Sequence, residues 1–477
     1  MSVFLAALPL LAVIALLVLG RGAVPSSLVG LTLALVTGVL AFPVARGVFA
    51  SEGLAFLPIV IEVTLILLTG VVLARLLGAL GAMTRISDWV LGASPGPTAG
   101  AVLVVFGIIP FAESVTGFGI GMTVGIPILV HLGYSIRTSA VLGLLGMVAA
   151  AWGGLAPGAK VAAGLLGLSL TDLGVATSHF NVVPVLVVVV VVTVVVRDRL
   201  AGLLYSLLAG IVLSIGLWGF NTLIGTPLAG VLATLVVVAA LLVAFRARGA
   251  RATFDRELGL ALVPYGVLTA GLLLCSGLAA LAPGPVTTLL SSPPVWLAAA
   301  CLAAAIRLVR RGPLLRPTVL QGMRAFVPVG MSTAAFMVMG WSLSVFDMST
   351  RMGEALSGLG VWTVPALGMV GSVLAGSITG SLSMFATTFG SIAHITGSPE
   401  LPIVAAGMAA SGLANGASPA RAALAVTMAV QALPPDSALR PAEPAERSAA
   451  ERSVLGWVVA LSAVSAAGVA LALTLTV

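Results

Sequence analysis

The chain has 477 residues, of which 60% are hydrophobic and 8% are charged. A soluble protein of this length needs a charged surface, whereas a bilayer can solvate an apolar exterior, so this composition excludes an ordinary soluble protein. The net charge of +7 does not indicate a nucleic-acid partner, because the cations lie in short segments between apolar runs. The sequence therefore predicts an all-α polytopic membrane protein in a lipid bilayer.

Apolar runs that are long enough to cross a membrane occur along the whole chain. A helix needs about 20 apolar residues to cross the hydrocarbon core. Ten uninterrupted runs are predicted to be spanning helices, at 3–20, 24–42, 54–74, 180–196, 200–219, 224–245, 259–281, 294–309, 324–345 and 454–476. Two further segments, 138–170 and 400–432, are long enough to cross but are interrupted near the middle. About twelve crossings are therefore predicted.

Two stretches, 97–133 and 361–396, have a different pattern. Each has two apolar limbs of about 14 residues around a centre rich in Gly, Ser and Thr. A helical limb of that length is ~21 Å long, which is too short for a hydrocarbon core of ~30 Å. Both stretches are therefore predicted to be re-entrant hairpins, which enter and leave the membrane on the same side.

The cations predict the orientation of these helices. If the N-terminus lies outside, the inside loops carry 18 of the 22 Lys and Arg residues, and the outside loops carry only Arg46 and Arg351. Lys160 and Arg421 fall within the interrupted helices. Because cytoplasmic loops are enriched in Lys and Arg, the chain is predicted to lie in the cytoplasmic (inner) membrane of a bacterium with both termini on its outer side.

An internal repeat is visible when the chain is shifted against itself. At shifts of 263 and 261 residues the matches are 114–117 (SVTG) with 377–380 (SITG), His131 with His394, and Lys160 with Arg421. This predicts two inverted-topology units at 54–219 and 324–477, with N-terminal helices at 1–53 and connecting helices at 220–323. Inverted repeats are a common construction of secondary transporters.

The hairpin centres and helix breaks predict a polar cavity. Backbone at membrane depth is tolerated only where it is buried in protein or lines a wet cavity, and the N-termini of half-helices suit an anion. The alternative is that these small residues only allow tight helix packing. The candidate substrate-binding residues at these places are Ser114, Thr116, Gly117, Gly119, Thr379, Gly380, Ser381, Ser383 and Ser418.

Two acidic residues lie at membrane depth. Glu113 is next to the first hairpin centre, where a carboxyl is costly to ionise and can take up a proton; alternatively it forms a structural hydrogen bond to the turn. Glu62 lies in the middle of the third span and has no partner in the repeat, so its role stays open.

The matched cations and histidines are further candidates. Lys160 and Arg421 can orient a carboxylate, or they can pair with the acidic residues or reach toward an interface. His131 and His394 are candidates for proton coupling, with an interfacial hydrogen-bonding role as the alternative. The chain has none of the phosphate-binding, zinc or nucleophile motifs of an enzyme, and no metal site or cofactor is expected.

Several motifs resemble the L-lactate permease family. Residues 113–119 (ESVTGFG) resemble its Glu-x-x-x-Gly-Phe-Gly hairpin motif, and 151–154 (AWGG) is similar to the stretch that follows it. In the second half, 374–381 (LAGSITGS) and 418–419 (SP) resemble the corresponding hairpin and interrupted helix. The chain departs from the family at Leu382 and Ala386, where Asp and Asn are common, and at Arg421, where uncharged polar residues are common.

The resemblance implies proton-coupled symport of lactate, glycolate or a related small monocarboxylate. It also implies a scaffold with moving transport domains, as in the ion-transporter superfamily, and a homodimer. H+ is the expected coupling ion, and Na+ is the alternative. A cation/proton antiporter on the same scaffold, with Glu113 as the shared ion site, is the second hypothesis for function.

Overall fold

The computed structural model describes residues 2–117, 119–250, 254–310, 312–434, 437, 440–441 and 443–477. These residues are all helical or irregular, without strands, and ten helical segments have the length and composition to cross a membrane. The predicted all-α polytopic class is therefore confirmed, whereas the exact number of crossings stays a prediction. Phe118 of the hairpin motif and the inside cations Arg251 and Arg311 lie outside the described residues.

The described residues of the first half of the chain form thirteen helices. They are α1 (Ser2–Val18), α2 (Ala23–Ala41), α3 (Arg46–Ala79), α4 (Ala82–Ala93), α5 (Pro97–Leu103), α6 (Ile109–Thr116), α7 (Ile120–His131), α8 (Ile136–Leu145), α9 (Pro157–Leu166), α10 (Leu170–Phe180), α11 (Val182–Val195), α12 (Arg199–Leu223) and α13 (Thr226–Arg246). A π-helical turn (Val104–Ile108) joins α5 to α6, and a 3-10 segment (Gly146–Leu155) follows α8.

The described part of the second half contains ten helices. They are α14 (Arg256–Leu281), α15 (Pro285–Leu290), α16 (Pro293–Val309), α17 (Leu315–Val345), α18 (Met348–Ser357), α19 (Thr363–Ala375), α20 (Ile378–Thr396), α21 (Glu400–Ala414), α22 (Pro419–Gln431) and α23 (Pro444–Thr476). A 3-10 turn (Asn415–Ala417) separates α21 from α22.

The first predicted hairpin folds as two antiparallel limbs. Its ends meet where the Tyr134 hydroxyl donates a hydrogen bond to the Pro97 carbonyl (3.3 Å). Gly117, with a φ of +70°, ends the first limb at the tip. That limb is one continuous helical segment of 20 residues, not about 14, because it starts at Pro97 and continues past the apolar run through Glu113 to Thr116. The length argument was thus wrong for this limb, and the re-entrant depth stays a prediction.

The second predicted hairpin also folds as two antiparallel limbs, α19 and α20. The Ser381 hydroxyl in α20 donates to the Gly368 carbonyl in α19 (3.0 Å). The tip is at Gly376 (φ +59°) and Ser377, whose side chain caps α20 by accepting from the Gly380 N–H (3.3 Å). The SITG sequence therefore starts a helix, whereas SVTG ends one. The shift of 263 residues does not superpose the two tips, because Gly117 terminates a helix and Gly380 lies inside one.

Both interrupted helices are broken where they were expected to be. In the first, residues 154–156 all have a positive φ, and Pro157 starts the second half-helix, α9. In the second, Ser418 is extended and caps α22, which Pro419 starts. Lys160 is three residues after Pro157, whereas Arg421 is only two residues after Pro419. One residue rotates a helix by about 100°, so these two cations point in different directions.

Candidate functional site

The two hairpin tips and the two helix breaks line one small cavity. Gly117 and Ser377 come from the tips, Gly153 from the first break, and Asn415 and Arg421 from the second break and the helix after it. The cavity has a volume of about 30 Å³, which is room for a water molecule. The four irregular segments are thus brought together as the sequence predicts, and their role in binding stays a prediction.

Glycine is required where these segments touch. A Cβ atom on Gly117 would lie 3.1 Å from the Gly154 Cα, and one on Gly158 would lie 3.3 Å from the Thr379 nitrogen. A Cβ on Gly119 would lie 2.9 Å from the Arg421 Nη1. The missing side chains therefore let the first break approach both tips and let Arg421 approach the first tip.

Glu113 ties the first tip together. Its side chain is buried (2% exposed), and its two carboxylate oxygens accept hydrogen bonds from the Gly119 N–H (3.1 and 3.0 Å). Oε2 also accepts from the Gly121 N–H (3.3 Å). These N–H groups start α7 and have no partner within the helix. The structural hydrogen bond to the turn is thus observed, and the same carboxyl lines the cavity.

Arg421 spans the gap between the two tips. Its Nε and Nη2 donate to the Gly376 carbonyl (3.1 and 3.0 Å), and its Nη1 lies 3.3 Å from the Met147 sulfur. A thioether is a weak acceptor, so Nη1 keeps donor capacity for a ligand. No described carboxylate lies within 4.0 Å of the guanidinium. Arg421 and Glu113 therefore place opposite charges on one small cavity without a direct ion pair.

Lys160 is directed away from the cavity and pairs with Glu62. The Nζ of Lys160 forms an ion pair with Oε1 of Glu62, and the Ser292 hydroxyl donates to the same oxygen (3.1 Å). The two side chains are 29% and 23% exposed. The alternatives to substrate binding were a pair with an acidic residue and a reach toward an interface, and the structure shows the ion pair. Lys160 does not line the cavity that Arg421 lines, so the two cations do not converge in this structure, and their joint contact with a substrate stays a prediction.

We expect single charge reversals at this pair to destabilise the protein by about 1–2 kcal/mol. Glu62→Lys and Lys160→Glu each place like charges together in a partly buried position. The double variant restores an opposite pair and should recover most of the loss. Thermal unfolding in detergent measures all three variants. If the double variant lost the sum of the single losses, the two side chains would not be coupled.

Half of the predicted hydroxyl side chains are bonded inside the hairpins. Ser383 donates to the Thr379 carbonyl (2.7 Å) and Thr116 to the Ala112 carbonyl (2.6 Å), which is the usual bond of a hydroxyl inside a helix. The Ser114 side chain packs against Gly230 of α13. These three side chains do not line the cavity.

The other predicted substrate residues divide in the same way. Ser381 is bonded to α19, and Gly380 packs against Ala375. Thr379 does line the cavity, and Ser418 lies beside Gly376 as the cap of α22. The sequence showed which elements carry the site but not which way each side chain points.

Both histidines lie at the ends of hairpin limbs. His131 is exposed in the last turn of α7. His394 is 76% exposed, and its Nε2 lies 3.8 Å from Glu400 Oε2. Neither residue lines the cavity, and their role in proton coupling stays a prediction.

Asn415 and Ser377 line the cavity and were not predicted. Asn415 is 4% exposed and lies in the 3-10 turn of the second break. The signal was present, because an Asn-Gly pair just before Ser418-Pro419 is polar at the point where an apolar helix is broken.

Comparison with known families gives one match. A model of the family described as L-lactate permease matches residues 2–283, which is more than half of the chain. The match includes Glu113, the first hairpin and the first break, whereas Asn415 and Arg421 lie beyond it. No curated protein matches the chain.

Proposed function

Because the chain belongs to the L-lactate permease family, we propose that it carries a small monocarboxylate such as lactate or glycolate together with a proton, by alternating access. The family and the membrane-spanning helices make it a multi-pass transporter for a lactate-like substrate. One observation supports the proposal of proton-coupled carboxylate transport. Glu113 and Arg421 share a small cavity that two hairpin tips and two helix breaks line.

The cavity suits an anion better than a cation. Arg421 places a buried positive charge at the cavity. Its Nη1 donates only to the Met147 sulfur, a weak acceptor, and therefore keeps donor capacity for a ligand. The first turns of α9 and α20 also border the cavity, through Pro157 and Thr379, and the N-terminus of a helix favours negative charge. A guanidinium in the same cavity repels a cation. An ionised Glu113 offsets this charge, so the cavity favours a carboxylate over a cation once Glu113 is protonated, and the carboxylate carrier is preferred to the cation/proton antiporter on that ground.

Charge balance couples the proton to the substrate. With Glu113 ionised, Glu113 and Arg421 together carry no net charge. Protonation of Glu113 leaves the guanidinium uncompensated in a buried place, which is unfavourable until an anion binds. A carboxylate that binds Arg421 restores neutrality. The cavity is thus neutral both empty and loaded, and we propose that one proton moves with one carboxylate without net charge.

Protonation also loosens the first tip. The ionised Glu113 holds the N–H groups of Gly119 and Gly121, and hydrogen bonds to a neutral carboxyl are weaker than those to a carboxylate. The present cavity holds about one water molecule, so a carboxylate can enter only if the tips separate. We propose that the neutral form of Glu113 allows the tips to separate, and that this separation is the step by which access alternates between the two sides of the membrane.

Counterflow in proteoliposomes tests the proposed substrate class. Vesicles are loaded with unlabelled lactate and exposed to labelled lactate, and a panel of unlabelled carboxylates competes from outside. We expect exchange that lactate and glycolate inhibit and that protein-free vesicles lack. The absence of exchange with every carboxylate would refute the proposal, and a proton flux induced by sodium alone would favour the antiporter.

A further inference from the structure

Asn415 has an unused hydrogen-bonding group at the cavity. Its side chain is 4% exposed, it lines the same cavity as Glu113 and Arg421, and its Oδ1 has no hydrogen-bond partner in the described part of the chain. A buried amide oxygen without a partner is unfavourable. Such a group in the wall of a binding cavity indicates that a ligand supplies the partner.

The side chain of Asn415 does not hold the break together. The cap of α22 is Ser418, which accepts from the Arg421 N–H (3.3 Å). The tight contact in this turn is made by the neighbouring Gly416, where a Cβ would lie 3.0 Å from the Leu144 carbonyl oxygen. The backbone of the turn is thus set by its neighbours, and the Oδ1 of Asn415 takes no part in it.

The missing partner of Oδ1 must be a donor, which a carboxylate is not. A hydroxyl can donate to an amide oxygen and accept from an amide N–H, so it fits an asparagine in either orientation of the amide. The cavity then offers a guanidinium for a carboxylate and an amide for a hydroxyl.

From this arrangement we propose that Asn415 is a specificity-determining residue that binds the 2-hydroxyl of a 2-hydroxy monocarboxylate. The inference rests on the proposed function of the cavity. It adds that acids without the hydroxyl are poor substrates, because they leave the amide oxygen unpaired.

The chain contains a matched control for this group. Asn181, between α10 and α11, is 1% exposed, and both of its side-chain polar atoms lack a hydrogen-bond partner among the described residues. It is not among the residues that line the cavity. Asn181→Leu removes the same kind of buried amide as Asn415→Leu, but from a residue that does not line the cavity.

The test is competition in lactate counterflow by unlabelled lactate and propionate, which differ by the 2-hydroxyl. We expect the wild type to prefer lactate by about 10-fold or more. Asn415→Leu should bring the two acids to within about 3-fold of one another, while Asn181→Leu keeps the wild-type ratio. If the leucine variant is not recovered, the ratio in Asn415→Ala decides in the same way.

The outcomes separate the two proposals. Exchange of carboxylates with an unchanged lactate-to-propionate ratio in the Asn415 variant would overturn the role of Asn415 and leave the proposed function intact. A loss of the ratio in Asn181→Leu as well would also overturn it, because the effect would then not be local to the cavity. No exchange of any carboxylate by the wild type would refute the proposed function itself.

Discussion

Replacing Arg421 by glutamine is expected to weaken the binding of lactate by about 10- to 100-fold. The change removes the positive charge from the cavity and with it a charge-assisted hydrogen bond to the carboxylate, which contributes about 1.5–3 kcal/mol. It also leaves the Glu113 carboxyl without the opposite charge that shares its cavity. The half-saturation concentration for lactate in counterflow measures the effect.

Two further variants distinguish binding from folding. Arg421→Lys keeps the charge but cannot reproduce the two hydrogen bonds to the Gly376 carbonyl, so we expect an intermediate affinity. Arg351→Gln changes an exposed arginine of α18 and should leave affinity unchanged. An Arg421→Gln protein that binds lactate as the wild type does would remove this residue from the site.

Replacing Glu113 by glutamine is expected to abolish proton-driven accumulation of lactate while leaving exchange measurable. The glutamine oxygen can still accept from the Gly119 N–H, but the side chain can no longer take up a proton. Wild-type uptake should rise as the exterior becomes more acidic, because the protonated form of Glu113 is the one that admits the anion. The variant should lose that dependence on external pH.

Uptake under an imposed pH gradient, compared with exchange in the same vesicles, measures both effects. Glu354→Gln is the matched control, because Glu354 is an exposed carboxylate of α18. Accumulation by Glu113→Gln at the wild-type level would show that the proton binds elsewhere.

The places where the helices break were predictable from the sequence. Clusters of Gly and Ser inside apolar stretches, such as those around Gly117 and Ser377, cannot continue a helix as leucine does. The proline that follows each later break, Pro157 or Pro419, pre-organises the start of the next half-helix. Because these signals are local, the sequence predicted the four breaks, whereas their convergence was inferred from the need of backbone at membrane depth to be buried in protein or to line a wet cavity.

The direction of each side chain was not predictable in the same way. The partner of Lys160 depends on the rotation of α9 against α3, which a shift of one residue changes by about 100°. The hydroxyls of Ser114 and Thr116 differ from Glu113 by only one and three positions, yet they lie outside the cavity. These outcomes depend on tertiary packing, which the spacing of residues in the sequence does not contain.

The internal repeat was informative about order but not about register. The similar residues at 114–117 and 377–380 lie on opposite sides of the two tips. Residues 114–117 end the helix before the first tip, whereas Ser377 caps the helix that begins after the second. The two proline positions give a more reliable correspondence, since each starts a half-helix after a break. On that correspondence Arg421 has no cationic counterpart, in agreement with its different surroundings.

Simultaneous recording of lactate and proton entry into proteoliposomes tests the central claim most directly. If Glu113 and Arg421 form a neutral cavity for one proton and one carboxylate, lactate should drive proton entry at an equal rate. A membrane potential set with valinomycin and potassium should not change that rate, and vesicles with Glu113→Gln should show no coupled proton entry. Lactate entry without protons, or a rate that follows the potential, would contradict the account.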